Sequence, residues 1–240
     1  MSRIVCTSFS QAGYEQYGRN FLETYLRYWP LPIWVFHEGW EPEFVGPIYI
    51  DLREDADLVS FMGRFAHNPQ AHGVCKNRDG KLFVNYRWQA VKFARKVYAL
   101  TSPLRPDCDW WIWIDADVVT LKTVPEEFIE SVCPQGFVAS YLGRKDWHHS
   151  ECGFVAYSKQ YRGFDFLRDF RGMYDSGEIF RQQEWHDSYI FDVLRKRYEE
   201  TGVFFYNISE DVPGMNVWEG TALAEYMIHL KGPVAKKGAA

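Results

Sequence analysis

Near the middle of the chain, Trp110-Trp111-Ile112-Trp113-Ile114 runs directly into Asp115-Ala116-Asp117. Five consecutive apolar residues cannot alternate between core and water. Such a run suits a strand buried on both faces, in a sheet covered by helices on either side. At its carboxyl end two carboxylates stand one residue apart, where the chain leaves the sheet. Like charges this close are costly unless a cation or hydrogen-bond donors compensate them. Hard divalent cations take carboxylate oxygens, and Mg²⁺ or Mn²⁺ commonly bridges protein carboxylates to phosphates. Ala116 is small and leaves room for a ligand. The plainer alternative is a solvent-facing aspartate turn that caps the next segment.

The flanking sequence supplies the layers that such a strand needs. Residues 4–7 read as a short buried strand, and Tyr17, Phe21, Tyr25 and Tyr28 recur at helical spacing. Pro30 and Pro32 stop that helix, and 31–37 and 44–52 read as further strands. Residues 53–85 are polar and rich in Gly, Asn and His, as in a functional loop or mobile lid. Residues 86–100 form a helix with Trp88, Val91, Ala94 and Tyr98 on one side, leaving Lys92, Arg95 and Lys96 to a solvated face. Strands at 136–141 and 153–158, helices near 161–175 and 187–200, and a last strand at 226–230 complete the order. No repeat, linker or composition break interrupts it. The alternation predicts a single α/β domain over 1–240, a Rossmann-related unit with a mostly parallel central sheet flanked by helices. Ligands of such sheets bind beyond the carboxyl ends of the strands.

Composition narrows the function classes. With 240 residues, 47% hydrophobic and 25% charged, the chain is an ordinary globular protein that needs no metal or disulfide to fold. Aromatic residues reach 18%, enough for a ring-rich core and also for a pocket that stacks flat ligands. A net charge of −5 argues against a dedicated nucleic-acid binder. Arg162, Arg168, Arg171, Arg195, Lys196 and Arg197 remain as a candidate local basic face. No apolar stretch is long enough to span a membrane and no signal peptide is legible, which points to the cytoplasm. Cys6, Cys75, Cys108, Cys133 and Cys152 are scattered and read as reduced thiols. P-loop, dinucleotide, nucleophile-elbow and H-E-x-x-H motifs are absent.

Two enzyme chemistries fit the aspartate pair. In a phosphatase of the haloacid dehalogenase type, Asp115 is the nucleophile of D-x-D-x-[TV], with Val119 at the last position. That motif normally opens its domain, and the nearest candidate for its downstream acidic pair, Glu210-Asp211, is a poor match. In the second chemistry the pair holds a metal and a diphosphate. Here the whole chain resembles GT-A-type glycosyltransferases, through D-x-D and the closing segment His229-Leu230-Lys231-Gly232. The resemblance implies that Asp115 and Asp117 bind Mn²⁺ or Mg²⁺ and that His229 completes the metal site. It implies that Asp115, Lys231 and Gly232 approach the ribose and diphosphate of a nucleoside-diphosphate sugar, with UDP the default base. Thr7, Ser8 and Phe9 then correspond to the strand end that receives the nucleoside, and the helix with Phe93 and Lys96 lies beside base and ribose. Residues 1–120 are the nucleotide-binding half and 121–240 the acceptor-binding half. Compact chains of this style also resemble bacteriophage-encoded glycosyltransferases, which work in the host cytoplasm and whose acceptors include hydroxymethylated DNA bases.

For the acceptor side, Trp147-His148-His149-Ser150-Glu151 and Glu184-Trp185-His186-Asp187 lie between the metal ligands. An inverting transfer needs a carboxylate to deprotonate the acceptor hydroxyl. Asp187 is the first candidate and Glu151 the second. A helix-capping role for Asp187 and a buried hydrogen-bonding role for Glu151 stand beside these. Trp147, Trp185 and His186 are candidate acceptor contacts. His148 and His149, adjacent in an extended segment, point to opposite faces and are left unassigned. A glycan, a small molecule or modified DNA all remain as acceptors, as does a non-catalytic nucleotide- or carbohydrate-binding module.

Overall fold

The computed structural model describes residues 1–145 and 148–231. In chain order its strands are β1 (Arg3–Phe9), β2 (Ile33–His37), β3 (Ile48–Asp51), β4 (Val74–Lys76), β5 (Leu82–Val84), β6 (Trp110–Ile114), β7 (Val118–Thr120), β8 (Ala139–Leu142), β9 (Glu151–Ser158), β10 (Tyr206–Asn207) and β11 (Met227–His229). Its helices are α1 (Gln11–Gly13), α2 (Arg19–Tyr28), α3 (Ala56–Phe65), α4 (Ala90–Leu100), α5 (Glu126–Ser131), α6 (Gly163–Asp175), α7 (Asp187–Glu199) and α8 (Leu223–Tyr226).

Every residue of β6 is buried. The strand lies inside a seven-stranded sheet of order β10-β8-β9-β6-β1-β2-β3. The pairings β1–β2, β1–β6, β2–β3 and β8–β10 are parallel, and β9 alone runs against its neighbours β6 and β8. The fold is therefore α/β, with a mostly parallel sheet. The pleat of β6 sends Trp111 and Trp113 into a core with α3, α4, α6 and α7, and Trp110, Ile112 and Ile114 into one with α2, α5 and α8. Helices cover both faces, as the unbroken apolar run requires.

These directions place the site. The carboxyl ends of β1, β6 and β8 emerge on one edge of the sheet, and β9, being antiparallel, begins on that same edge. Asp115, Arg144 and Glu151 therefore meet on one cavity, although Asp115 lies about thirty residues before the other two in the chain. The last strand does not join the sheet. Instead β11 pairs antiparallel with β7, in register His229 to Val118, and Leu230 donates its amide to the Asp117 carbonyl at 2.9 Å. This two-stranded ribbon brings the C-terminal segment to the aspartate turn.

The structure corrects several expectations. Residues 53–85 are not a long irregular loop. They fold into α3, capped by Asp55 and anchored by Leu58 and Phe61, and the hairpin β4–β5. The 44–52 strand shortens to Ile48–Asp51, because Gly46 turns with φ +119° and Pro47 follows it. The first helix starts earlier than expected and passes through a π turn at Tyr14–Gly18 before α2. That extra residue per turn rotates Tyr17 away from the stripe of Phe21 and Tyr25. Trp88 lies in a separate 3₁₀ turn ahead of α4. All five cysteines are free, as expected. Among the described residues, no helix is long and apolar enough to cross a membrane.

Trp111 is fully buried and donates its indole N–H to the Leu100 carbonyl at 2.9 Å, joining β6 to the end of α4. Trp111→Ala should lower unfolding free energy by about 3–5 kcal/mol. Urea denaturation followed by fluorescence measures this, and a loss below 1 kcal/mol would contradict the packing described.

Candidate active site

The site edge of the sheet opens into a cavity of about 610 Å³. Its floor is the aspartate turn after β6. Asp115 accepts hydrogen bonds on Oδ1 from Lys96 Nζ at 2.7 Å and Trp113 Nε1 at 2.6 Å. Its other oxygen faces His229 Nε2 at 3.8 Å, and His229 Nε2 lies 3.1 Å from Asp117 Oδ1. One ligand atom from each of Asp115, Asp117 and His229 falls within 4.8 Å of the others. The D-x-D and the C-terminal histidine, 112 residues apart, thus meet in space.

The electrostatics suit a cation. Burial raises the Asp115 carboxyl above its usual value, with Asp117 and Asp187 adding to the effect and Lys96 and His229 opposing it. Burial, Asp117 and Asp115 together push the Tyr17 hydroxyl up to about 12. Two carboxylates and an imidazole are a donor set that Mn²⁺ or Mg²⁺ accepts, so the residues present fit such an ion.

Lys96 departs from its expected place. It is not on a solvated face: it lines the cavity with its ammonium held by protein carboxylates. Its ammonium bridges Asp115 and Asp187, the latter at 2.8 Å, and donates to the Cys152 carbonyl at 2.8 Å. Arg95 on the same helix pairs with Glu38 at 2.6 Å. Burial lowers and the two aspartates raise the Lys96 ammonium, and the aspartates win. Asp187 opens α7 behind its N-cap, His186. Burial raises the Asp187 carboxyl, but Lys96 and His186 outweigh it and hold it below the usual range.

Other expected residues divide. Ser8 lines the cavity, whereas the pleat of β1 turns Thr7 and Phe9 to the opposite face, where both are buried. The strand reaches Phe9 instead of ending at Thr7, so alternation continues through the segment. Phe93 and His186 line the cavity. Trp185 does not. Its ring packs on Phe180 and faces a second groove that it shares with Trp88. Lys231 donates to Glu151. Trp147 and Gly232 lie outside the described residues.

Sequence reasoning missed Arg144, Tyr17 and Arg87. Arg144 follows β8, so the strand-end rule could have found it. Tyr17 was hidden by a helical stripe that the π turn breaks. Arg87 lies 3.2 Å from Glu184, whose other oxygen pairs with His186 Nε2 at 2.8 Å and His149 Nε2 at 3.4 Å. His149, Glu184 and His186 are also within metal-ligand reach of one another. However, His186 Nδ1 accepts the Tyr189 amide as the N-cap, which leaves the proton on Nε2 for Glu184. This wall is a self-satisfied hydrogen-bonded unit. The arginines of the candidate basic face are also self-compensated. Arg168, Arg171, Arg195 and Arg197 pair with Asp165, Asp55, Glu199 and Glu178 at 2.6–2.9 Å, and Arg162 lies 3.7 Å from Asp165.

Lys96→Met should destabilise the protein by about 3–5 kcal/mol in urea denaturation, because it leaves two buried carboxylates without their cation. The ionised forms of Asp187 and Glu151 are both favoured in the fold. Their stabilisation is complete above about pH 4.5 and lost as pH falls through the lowered folded values. Unfolding free energy should therefore fall less from pH 7 to pH 3 in Asp187→Asn than in wild type. Equal slopes would contradict the Lys96–Asp187 pairing.

No sequence-family model matches the chain, and no characterised protein matches it by sequence. Solved structures do match over nearly the whole length. The apo form of mouse xyloside xylosyltransferase 1 aligns with TM-score 0.53 and 11% identity, over 94% of this chain and 92% of that one. A glycosyltransferase involved in glycosylation of the major capsid of PBCV-1 aligns with TM-score 0.50 and 9% identity, over 99% and 98%. The glycosyltransferase GlyE of Streptococcus pneumoniae TIGR4 aligns with TM-score 0.52 and 11% identity over 88% of this chain, which spans only 46% of GlyE. The chain shares its fold with solved glycosyltransferases.

Proposed function

We propose that the protein is a metal-dependent GT-A-type glycosyltransferase that moves a sugar from a nucleoside-diphosphate sugar to a hydroxyl acceptor. The observation that carries this reading is the meeting of Asp115, Asp117 and His229 on a cavity at the strand ends of a fold shared with glycosyltransferases. The phosphatase reading loses its second acidic pair, because Glu210 and Asp211 are exposed and off the cavity. A binding module would not need the paired carboxylates and cations that crowd the acceptor end.

Asp115, Asp117 and His229 would hold Mn²⁺ or Mg²⁺. When bound, such an ion neutralises the charge that develops on the departing diphosphate. Lys231 moves from Glu151 to a phosphate oxygen and adds a point charge at the same place. Lys96 keeps Asp115 ionised and oriented. Ser8, Tyr17 and Phe93 line the nucleoside part of the cavity, within the 1–120 half, with UDP the base proposed by analogy. The wall of His149, Glu184, His186 and Tyr189 belongs to the 121–240 half and faces the acceptor. A glycan or other hydroxyl-bearing small molecule fits this polar wall, whereas self-paired arginines offer little to a DNA backbone.

Each carboxylate lining the cavity, among the described residues, is already engaged. Asp115 and Asp187 share Lys96, Asp117 faces His229, Glu151 holds Lys231 and Arg144, and Glu184 holds Arg87 and two histidines. The cations beside Asp187 and Glu151 hold both carboxyls below the usual range, which makes each a weak base. This favours transfer with retention of configuration, in which Asp187 orients Lys96 and the donor sugar. The test is nucleoside diphosphate release from UDP-glucose, UDP-galactose, UDP-xylose and UDP-N-acetylglucosamine with Mn²⁺. Asp117→Ala and His229→Ala should each slow release by more than about a hundredfold, the equivalent of several kcal/mol. Full activity in both variants would remove the metal-site reading. An inverted anomer in the product NMR spectrum would return Asp187 to the role of base.

A further inference from the structure

Glu151 opens β9 with only 10% of its side chain exposed, and both of its oxygens are in use. Oε2 accepts from the Arg144 guanidinium and from the Lys231 ammonium. Oε1 accepts the Gly153 amide at 3.2 Å and lies 3.7 Å from His229 Nδ1. That Nδ1 is buried and has no hydrogen-bond partner, while Nε2 of the same ring points at the two aspartates. The ring itself is clamped. Trp218 packs against it with ring centroids 5.1 Å apart, and a Cβ at Gly153 would stand 2.6 Å from the imidazole Cε1. The only adjustable neighbour of Nδ1 among these is the Glu151 carboxylate.

We propose that Glu151 is a positioning residue for the metal site: its Oε1 holds the proton of His229 on Nδ1, which leaves the Nε2 lone pair for the cation. A histidine that ligates a metal through one nitrogen commonly gives its other N–H to a carboxylate, which fixes tautomer and ring orientation. The same carboxylate keeps Arg144 and Lys231 beside that ion, so one side chain sets both the imidazole and the nearby anion-binding cations. The inference rests on the metal-dependent reading above and goes beyond it in assigning the residue that makes His229 a ligand.

The isosteric change Glu151→Gln separates this role from packing. Arg144 and Lys231 demand an acceptor at the Oε2 position, so the glutamine amide must turn its NH₂ toward His229 Nδ1. That NH₂ donates to Nδ1, moves the ring proton to Nε2 and blocks ligation. The experiment is titration of wild type, Glu151→Gln and Asp117→Ala with Mn²⁺ alone, followed by the paramagnetic resonance signal of the free ion, with melting temperatures taken on the same samples. The expected result is roughly 10–100-fold weaker Mn²⁺ binding in Glu151→Gln, the range for loss of such a partner. Nitrogen NMR of Mg²⁺-loaded wild type should also show His229 protonated on Nδ1, a readout that needs no variant. Glu151→Gln affinity within twofold of wild type, or a bare Nδ1 in the Mg²⁺ form, overturns the proposal. In that case wild-type binding that is lost in Asp117→Ala keeps the metal reading intact. Wild type that binds no Mn²⁺ fails both.

Discussion

The ammonium of Lys96, inserted between Asp115 and Asp187, is the interaction on which the arrangement of the site depends. Two carboxylates buried beside a third at Asp117 would repel one another and pay heavily for lost hydration. One cation from α4 compensates the turn after β6 and the start of α7 together. It thereby ties two walls of the cavity to a single atom. Burial still leaves Asp115 harder to ionise than an ordinary aspartate, with Asp117 adding to the effect.

Sheet direction explains why residues so distant in sequence converge. Strands β1, β6 and β8 end on one edge and β9 starts there, so consecutive positions around the cavity come from four separate segments. The antiparallel ribbon of β7 and β11 adds the fifth, His229. Each of these side chains sits within a residue or two of a strand whose other residues are locked in core. The aromatic content has its purpose here as well. Trp113 donates directly to Asp115, and Trp218 and Gly153 both pack closely on His229. Rings that fill the core also fix the polar groups that face the ligand.

The order of strands and helices was legible because the apolar run of β6 and the helical stripes of α2, α4, α6 and α7 are strong periodic signals. The triad Asp115, Asp117 and His229 was legible only through resemblance, since no local rule links positions 112 residues apart. What escaped reading was side-chain direction. Thr7 and Phe9 were misplaced by a strand two residues longer than expected, and Trp185 by the turn before α7. Lys96 looked like surface because its partners lie on other elements. The helix α3 was hidden because Leu58, Phe61 and Phe65 are spaced among charged and polar residues that dominate the local composition. Pairing partners, unlike periodicity, are a property of the assembled sheet.

The central claim is that this cavity binds a nucleoside diphosphate through a divalent cation. The most direct measurement is a thermal-shift panel of UDP, GDP, CDP and ADP, each with Mn²⁺ or with EDTA. A ligand that binds only the native state adds about 2.7 kcal/mol of stability at a hundredfold excess over its Kd. The account predicts that one nucleoside diphosphate, UDP first among them, raises the melting temperature with Mn²⁺ and loses that effect in EDTA. No shift with any of the four, or a shift that EDTA leaves unchanged, would contradict it.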